Sequence, residues 1–184
     1  MDDKKRTLKV VLAGGPCCGK TTIIKELKKR GHNIIDEAAR EILAENVKIS
    51  YEEIQKRIFK RQLEKEIDTS EKTSGLVFLD RGHIDGIAYC QIKLGYIPEP
   101  LKSFDFRNQY DLIFILDLLP FKKDGLRIEK DETEAKMIHH AIISAYKSFG
   151  YQVKFIPVMP IEARINYLLK NISECLNCLK GGEE

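Results

Sequence analysis

Short, continuously apolar runs alternate along this chain with longer stretches whose apolar positions recur every three or four residues. The first pattern predicts buried strands and the second predicts amphipathic helices. Leu8–Ala13 (LKVVLA) reads as a strand ending at Gly14-Gly15, and Gly19–Arg30 as a helix stopped by Gly31. Asn33–Asp36 is a second strand, followed by a helical stretch over Ala38–Glu45. Ser50 and Glu53 have the spacing of a capping box. The helix they open carries Tyr51, Ile54, Ile58 and Ile67 as its apolar stripe and runs to Lys72. Leu76–Leu79 is a third strand closed by Asp80; Ile84, Ile87, Ala88 and Ile92 then fit a helix ended by Gly95. Leu112–Leu116 is a fourth strand closed by Asp117. Ile138, Ala141, Ile142, Ala145 and Phe149 share one helical face ahead of Gly150. Val153–Val158 is the fifth strand, and Pro160 opens a last helix with Ile161, Ile165, Leu168, Leu169 and Ile172 inward.

Strands without polar alternation, separated by helices, predict an α/β fold: a five-stranded parallel sheet covered on both faces, in three α/β/α layers. Ligands in such sheets gather at the carboxyl ends of the strands. The informative residues therefore lie just after each strand, at 14–22, 36–40, 80–85, 117–129 and 159–160.

Composition narrows the class without naming it. The chain has 184 residues, a length that fits one domain spanning 1–184, with a core over about 8–178. Lys and Arg total 31 against 28 Asp and Glu, giving +3. That balance argues against a nucleic-acid partner. No apolar run is long enough to span a bilayer. No apolar segment precedes Leu8, so no signal peptide is expected, and five cysteines then point to free thiols in a reducing, cytoplasmic setting.

The most informative segment is Gly14-Gly15-Pro16-Cys17-Cys18-Gly19-Lys20-Thr21, which fits G-x-x-x-x-G-K-[ST] between a strand and a helix. The glycines let backbone N–H groups turn inward around phosphate oxygens, and the helix N-terminus adds positive partial charge. Lys20 is expected at the β- and γ-phosphates, and Thr21 on Mg²⁺, with Thr22 completing the nucleotide-binding stretch. Asp80 closes its strand as a second magnesium residue. The chain has Asp80-Arg81-Gly82-His83, without a D-x-x-G switch, and it has Phe121 where a guanine-reading N-K-x-D would need Asn.

A kinase of small molecules fits better. Arg81 stands beside the phosphate loop, where it can meet the acceptor or the transferring phosphoryl group. The polar connection over about 118–130 carries Lys122, Lys123, Arg127 and Lys130 and is expected to act as a lid, with Arg127 as its arginine. Glu37 is the best-placed carboxylate for orienting an acceptor hydroxyl, with Asp36 and Asp85 as alternatives. His83 lies in the acceptor region, where it either touches substrate or caps a helix. His139-His140 reads as helix surface, and Cys175 with Cys178 has C-x-x-C spacing without a second pair.

The stretches VVLAGGPCCGKTT, IIDEAAREIL, LVFLDRGHIDGIAY, YDLIFILDLLPFKKDGLRIE and YQVKFIPVMPIEARINYLL resemble, in order, the AAA-type ATPase-like P-loop family. That family includes the nicotinamide riboside kinase domain of bacterial NAD regulators. The resemblance implies a nucleotide-kinase-like P-loop NTPase fold, strand order 2-3-1-4-5, that binds ATP and Mg²⁺ and acts on a small-molecule acceptor. It also implies roles for Glu37, Arg40, Asp80, Arg81, Asp85 and Arg127. A nucleotide-dependent switch acting through a protein or lipid partner is the alternative.

Overall fold

The computed structural model describes residues 7–121 and 131–180. Its elements in chain order are β1 (Thr7–Ala13), α1 (Lys20–Lys29), β2 (Asn33–Ile35), α2 (Ala38–Ala44), α3 (Tyr51–Lys72) and β3 (Gly75–Asp80). Next come α4 (His83–Leu94), β4 (Leu112–Leu116), α5 (Glu132–Ser148), β5 (Val153–Ile156) and α6 (Ile161–Lys180). All strand pairs are parallel, in the order β2-β3-β1-β4-β5. The expected P-loop α/β architecture and strand order are both present.

Side chains alternate across β1 and divide the core in two. Val11 and Ala13 join Leu79, Ile84, Ile87, Ile138 and Ile142 on one face, under α3, α4 and α5. Val10 and Leu12 join Phe78, Phe114, Ile23, Leu27, Ile165 and Leu168 on the other, under α1 and α6. Strands buried on both faces have no polar alternation, which is why their sequence runs are continuously apolar. Leu12 is in register with Asp80, so the phosphate loop leaves the sheet beside that carboxylate.

Four expectations need correction. The stripe of α3 is not Tyr51, Ile54, Ile58 and Ile67. Its buried face is Gln55, Phe59, Gln62 and Glu66, spaced 4, 3 and 4 residues apart. Ile67 lies one residue, about 100° of helix, beyond Glu66 and is 52% exposed. The fifth strand stops at Ile156 because Pro157 has no N–H to give the ladder. His139, read as surface, is buried at 7% exposure, whereas His140 is exposed. The capping box at α3 is half-formed: Ser50 Oγ accepts from the Glu53 N–H at 3.2 Å, but the Glu53 side chain pairs with Arg57. Among the described residues no helix is long and apolar enough to cross a membrane.

Candidate active site

The turn after β1 departs from ordinary backbone at Gly14, whose φ is +128°. A Cβ there would stand 2.9 Å from the Leu116 carbonyl oxygen, so the position excludes larger residues. Lys20, in the first turn of α1, is buried, and its ammonium donates to the carbonyls of Gly14 at 2.6 Å and Gly15 at 2.9 Å. It also lies 3.1 Å from Cys18 Sγ. The loop thus folds around its own lysine, and Pro16, Cys17, Cys18, Gly19, Lys20, Thr21 and Thr22 line a groove of about 430 Å³.

Two residues that sequence reasoning missed hold this loop. His139 Nδ1, on α5, accepts the Gly15 N–H at 3.1 Å. Arg164, on α6, is buried and gathers three carbonyls. It donates through Nη1 to Cys18 at 2.7 Å, through Nε to Pro157 at 3.0 Å and through Nη2 to Asp117 at 3.3 Å. Neither residue sits in a motif. The only sequence signal was a polar residue inside an otherwise apolar helical face.

At the end of β3, Asp80 is buried and its Oδ1 has no hydrogen-bond partner among the described residues. Burial and the neighbouring Glu37 charge push its carboxyl up to about 6. Arg81 adopts a left-handed φ of +74° and turns its side chain toward Glu37 and Tyr89. Arg81 Nε is 2.6 Å from Glu37 Oε1, and Arg40 Nε donates to Glu37 Oε2 at 3.1 Å. Burial raises the Glu37 pKa, but the charges of Arg81, Lys20 and Arg40 outweigh it and hold the carboxyl below its usual range. Asp36 instead faces solvent and pairs with Lys28, which removes it as a candidate base.

Asp85 is buried on α4. Its Oδ2 accepts from the Tyr146 hydroxyl at 2.7 Å and the Gly82 N–H at 3.2 Å, so Asp85 caps its own helix. Its Oδ1 lies 3.8 Å from Arg81 Nη1. His83 does not cap the helix. Its N–H donates to the Tyr110 hydroxyl at 2.7 Å, and its ring Nε2 faces Glu66 Oε1 at 3.2 Å. Burial lowers the His83 pKa despite that carboxylate.

Behind Glu37 and Arg81 lies a second cavity, of about 110 Å³, walled by α2, α3 and α4. Leu43, Ile54, Ile58, Phe59 and Leu101 give it apolar sides; His83, Asp85, Gln55 and Gln62 add polar ones. Pro16, Glu37, Arg40 and Arg81 line both this cavity and the phosphate groove. The structure brings Glu37, Arg40, Asp80, Arg81, His83 and Asp85 together on the lining of this cavity. Arg127 and the basic residues Lys122, Lys123 and Lys130 lie outside the described residues, as does most of the expected lid. The side chain of Cys178 lies outside them too, and Cys175 is a free thiol.

The donor set fits magnesium bound with a nucleotide. Asp80 offers a buried, unpartnered oxygen, and Thr21 stands half-buried on the groove. No cluster of three metal-ligating side chains exists among the described residues. An ion that keeps waters and phosphate oxygens in its shell needs none.

A family profile describing an AAA domain matches residues 9–164. A search of curated proteins finds no match. Among solved structures, the NadR protein in complex with NR superposes at a TM-score of 0.70 with 18% identity, over 91% of this chain and 50% of that one. Thymidylate kinase from Ehrlichia chaffeensis gives 0.66 and 15%, over 91% and 99%. Deoxyadenosine kinase from M. mycoides with bound dATP gives 0.63 and 14%, over 90% and 99%. With the profile covering most of its length and the phosphate loop, Asp80 and Arg81 assembled at one end of the sheet, this chain belongs to the AAA domain family.

Proposed function

We propose that this protein is a kinase that transfers the γ-phosphoryl group of ATP to the hydroxyl of a small, nucleoside-like molecule. The observation that carries the reading is the shared wall. Glu37, Arg40 and Arg81 border both the groove that would hold the phosphates and the cavity behind it. An acceptor in that cavity could turn a hydroxyl past these residues toward the phosphates. The nucleoside, nucleotide and nicotinamide riboside connections of the structural neighbours fit the same reading.

Phosphoryl transfer asks the protein mainly for positioning and charge. The loop N–H groups and Lys20 would hold the phosphates. Lys20 already sits between two carbonyls, so phosphate oxygens would exchange for them without a large side-chain movement. Glu37 would accept the hydroxyl hydrogen bond. Its low pKa makes it a hydrogen-bond acceptor that aligns the hydroxyl more than a strong base. Arg81, fixed by Glu37 and Tyr89, would meet charge on the transferred group. Thr21 and Asp80 would hold magnesium, which neutralises phosphate charge when bound. Arg127 would close the site from the lid. We place its activity in the cytoplasm, without nucleic-acid partners.

A cavity that shares its wall with the phosphate groove favours this reading over a nucleotide switch, which needs a partner surface instead. The test is ADP release from Mg-ATP, measured with and without candidate acceptors. Stimulation of at least about tenfold by one acceptor supports the kinase; slow release unaffected by any acceptor contradicts it.

A further inference from the structure

We infer that Gln55 selects the acceptor by pairing with a planar amide-type edge, a donor beside an acceptor, at the end remote from the phosphorylated hydroxyl. The inference rests on the kinase reading and adds the chemistry of the acceptor's far end. A nucleobase edge and an aromatic carboxamide share that chemistry.

Gln55 is 4% exposed and lines the cavity, yet it makes no hydrogen bond among the described residues. Its carboxamide is not among the sealed, unpartnered polar groups of the core, so it opens onto the cavity, where an entering ligand can pair with it. The neighbouring turns of the same helix face show the contrast. Gln62, seven residues on, is equally buried, but its Nε2 donates to Glu66 Oε1 at 3.0 Å. A carboxylate only accepts, so the Gln62 amide nitrogen must face Glu66, leaving its oxygen as an acceptor. Glu66 is itself fixed by Lys9 at 3.1 Å and by the Tyr110 hydroxyl at 3.2 Å. Gln55 has no such anchor. It keeps both its N–H₂ donor and its carbonyl acceptor for whatever enters.

The surroundings give that ligand a shape. Ile54, Ile58, Phe59 and Leu101 form apolar walls around the amide. Opposite, Gly86 carries no side chain, and a Cβ there would lie 3.7 Å from Gln55 Oε1. Apolar walls with one free carboxamide suit a flat ring whose polar edge meets Gln55.

The test compares three ribosides that share one sugar: a nucleoside with an amide-type edge, nicotinamide riboside, and phenyl riboside, which has no polar edge. For the intact enzyme, kcat/KM for one of the first two is expected to exceed that for phenyl riboside by about 100-fold or more. Which of the two wins identifies the source of the edge. Gln55→Leu is expected to shrink that ratio below about tenfold, with the loss on the amide-bearing substrate, and to hold Tm, since the amide bonds no other described residue. Should Gln55→Leu fail to fold, the isosteric Gln55→Glu, which loses the N–H₂ donor, serves instead and is expected to shrink the ratio likewise. An unchanged ratio in the folded variant, or phenyl riboside used as well as the others by the intact enzyme, overturns the inference and leaves the kinase reading standing. Transfer to none of the three overturns both.

Discussion

Arg81 Nε stands 2.6 Å from Oε1 of Glu37, and the pair forms the boundary between the phosphate groove and the acceptor cavity. The contact joins the residue after β3 to the one before α2, so two strand ends meet at one point. Removing the Glu37 charge keeps the shape and loses the alignment of the acceptor hydroxyl. Glu37→Gln is expected to lower kcat by about 100-fold or more, with KM for ATP changed less than threefold. Steady-state kinetics with both substrates varied will check this; a normal kcat would return Glu37 to a structural role.

Lys20 is expected to be indispensable for turnover and dispensable for folding. Its hydrogen-bond partners are two loop carbonyls and a thiol, none of them a carboxylate. Lys20→Ala should abolish Mg-ATP turnover while the circular dichroism spectrum stays unchanged. Full activity in that variant would contradict the site.

The bond from the Gly15 N–H to His139 Nδ1 ties α5 to the phosphate loop and requires a neutral ring. Burial, then the positive charges of His140 and Lys20, hold the His139 pKa below its usual 6.5, with Asp117 opposing. The folded state therefore binds this proton less readily than the unfolded chain. The stability linked to His139 is complete above 6.5 and falls as pH drops from there toward the lowered value. His139→Ala is expected to raise KM for ATP, and His139→Asn, whose Oδ1 can accept the same N–H, to restore much of it. Equal KM values in all three proteins would remove His139 from the account.

Gly82 leaves room for two tyrosines. A Cβ there would come within 2.8 Å of the hydroxyls of Tyr110 and Tyr146. Those hydroxyls serve the His83 N–H and Asp85. Gly82→Ala is expected to cost about 1–3 kcal/mol through overpacking. Urea unfolding will measure it, and an unchanged midpoint would show that the tyrosines yield.

Arg127 is expected to act on the transferred charge from the lid. Arg127→Ala should lower kcat more than it weakens ATP binding, read by kinetics beside calorimetric titration. An unaltered kcat would leave the arginine a solvated loop residue.

The strands and the phosphate loop were legible in the sequence because each follows from local pattern. A parallel sheet buried on both faces needs apolar runs, and the G-x-x-x-x-G-K-[ST] turn needs its glycines. That Glu37, Asp80 and Arg81 would stand together was legible because strand ends converge in this fold. The polar face of α3 was not. Gln55, Gln62 and Glu66 read as solvent-facing by hydropathy, yet they are buried because they line a cavity and a hydrogen-bonded network. His139 and Arg164 were hidden for a related reason. Their partners are backbone groups 124 and 146 residues away, which leave no trace in local spacing.

The most direct test follows the label of γ-³²P-ATP onto a panel of nucleosides, nucleotides and nicotinamide riboside, with a control lacking acceptor and a parallel series with Lys20→Ala. Labelled product from one acceptor class, well above the control and absent in the variant, is the expected result. Label recovered only as inorganic phosphate, at the same slow rate with every acceptor, would contradict the kinase assignment.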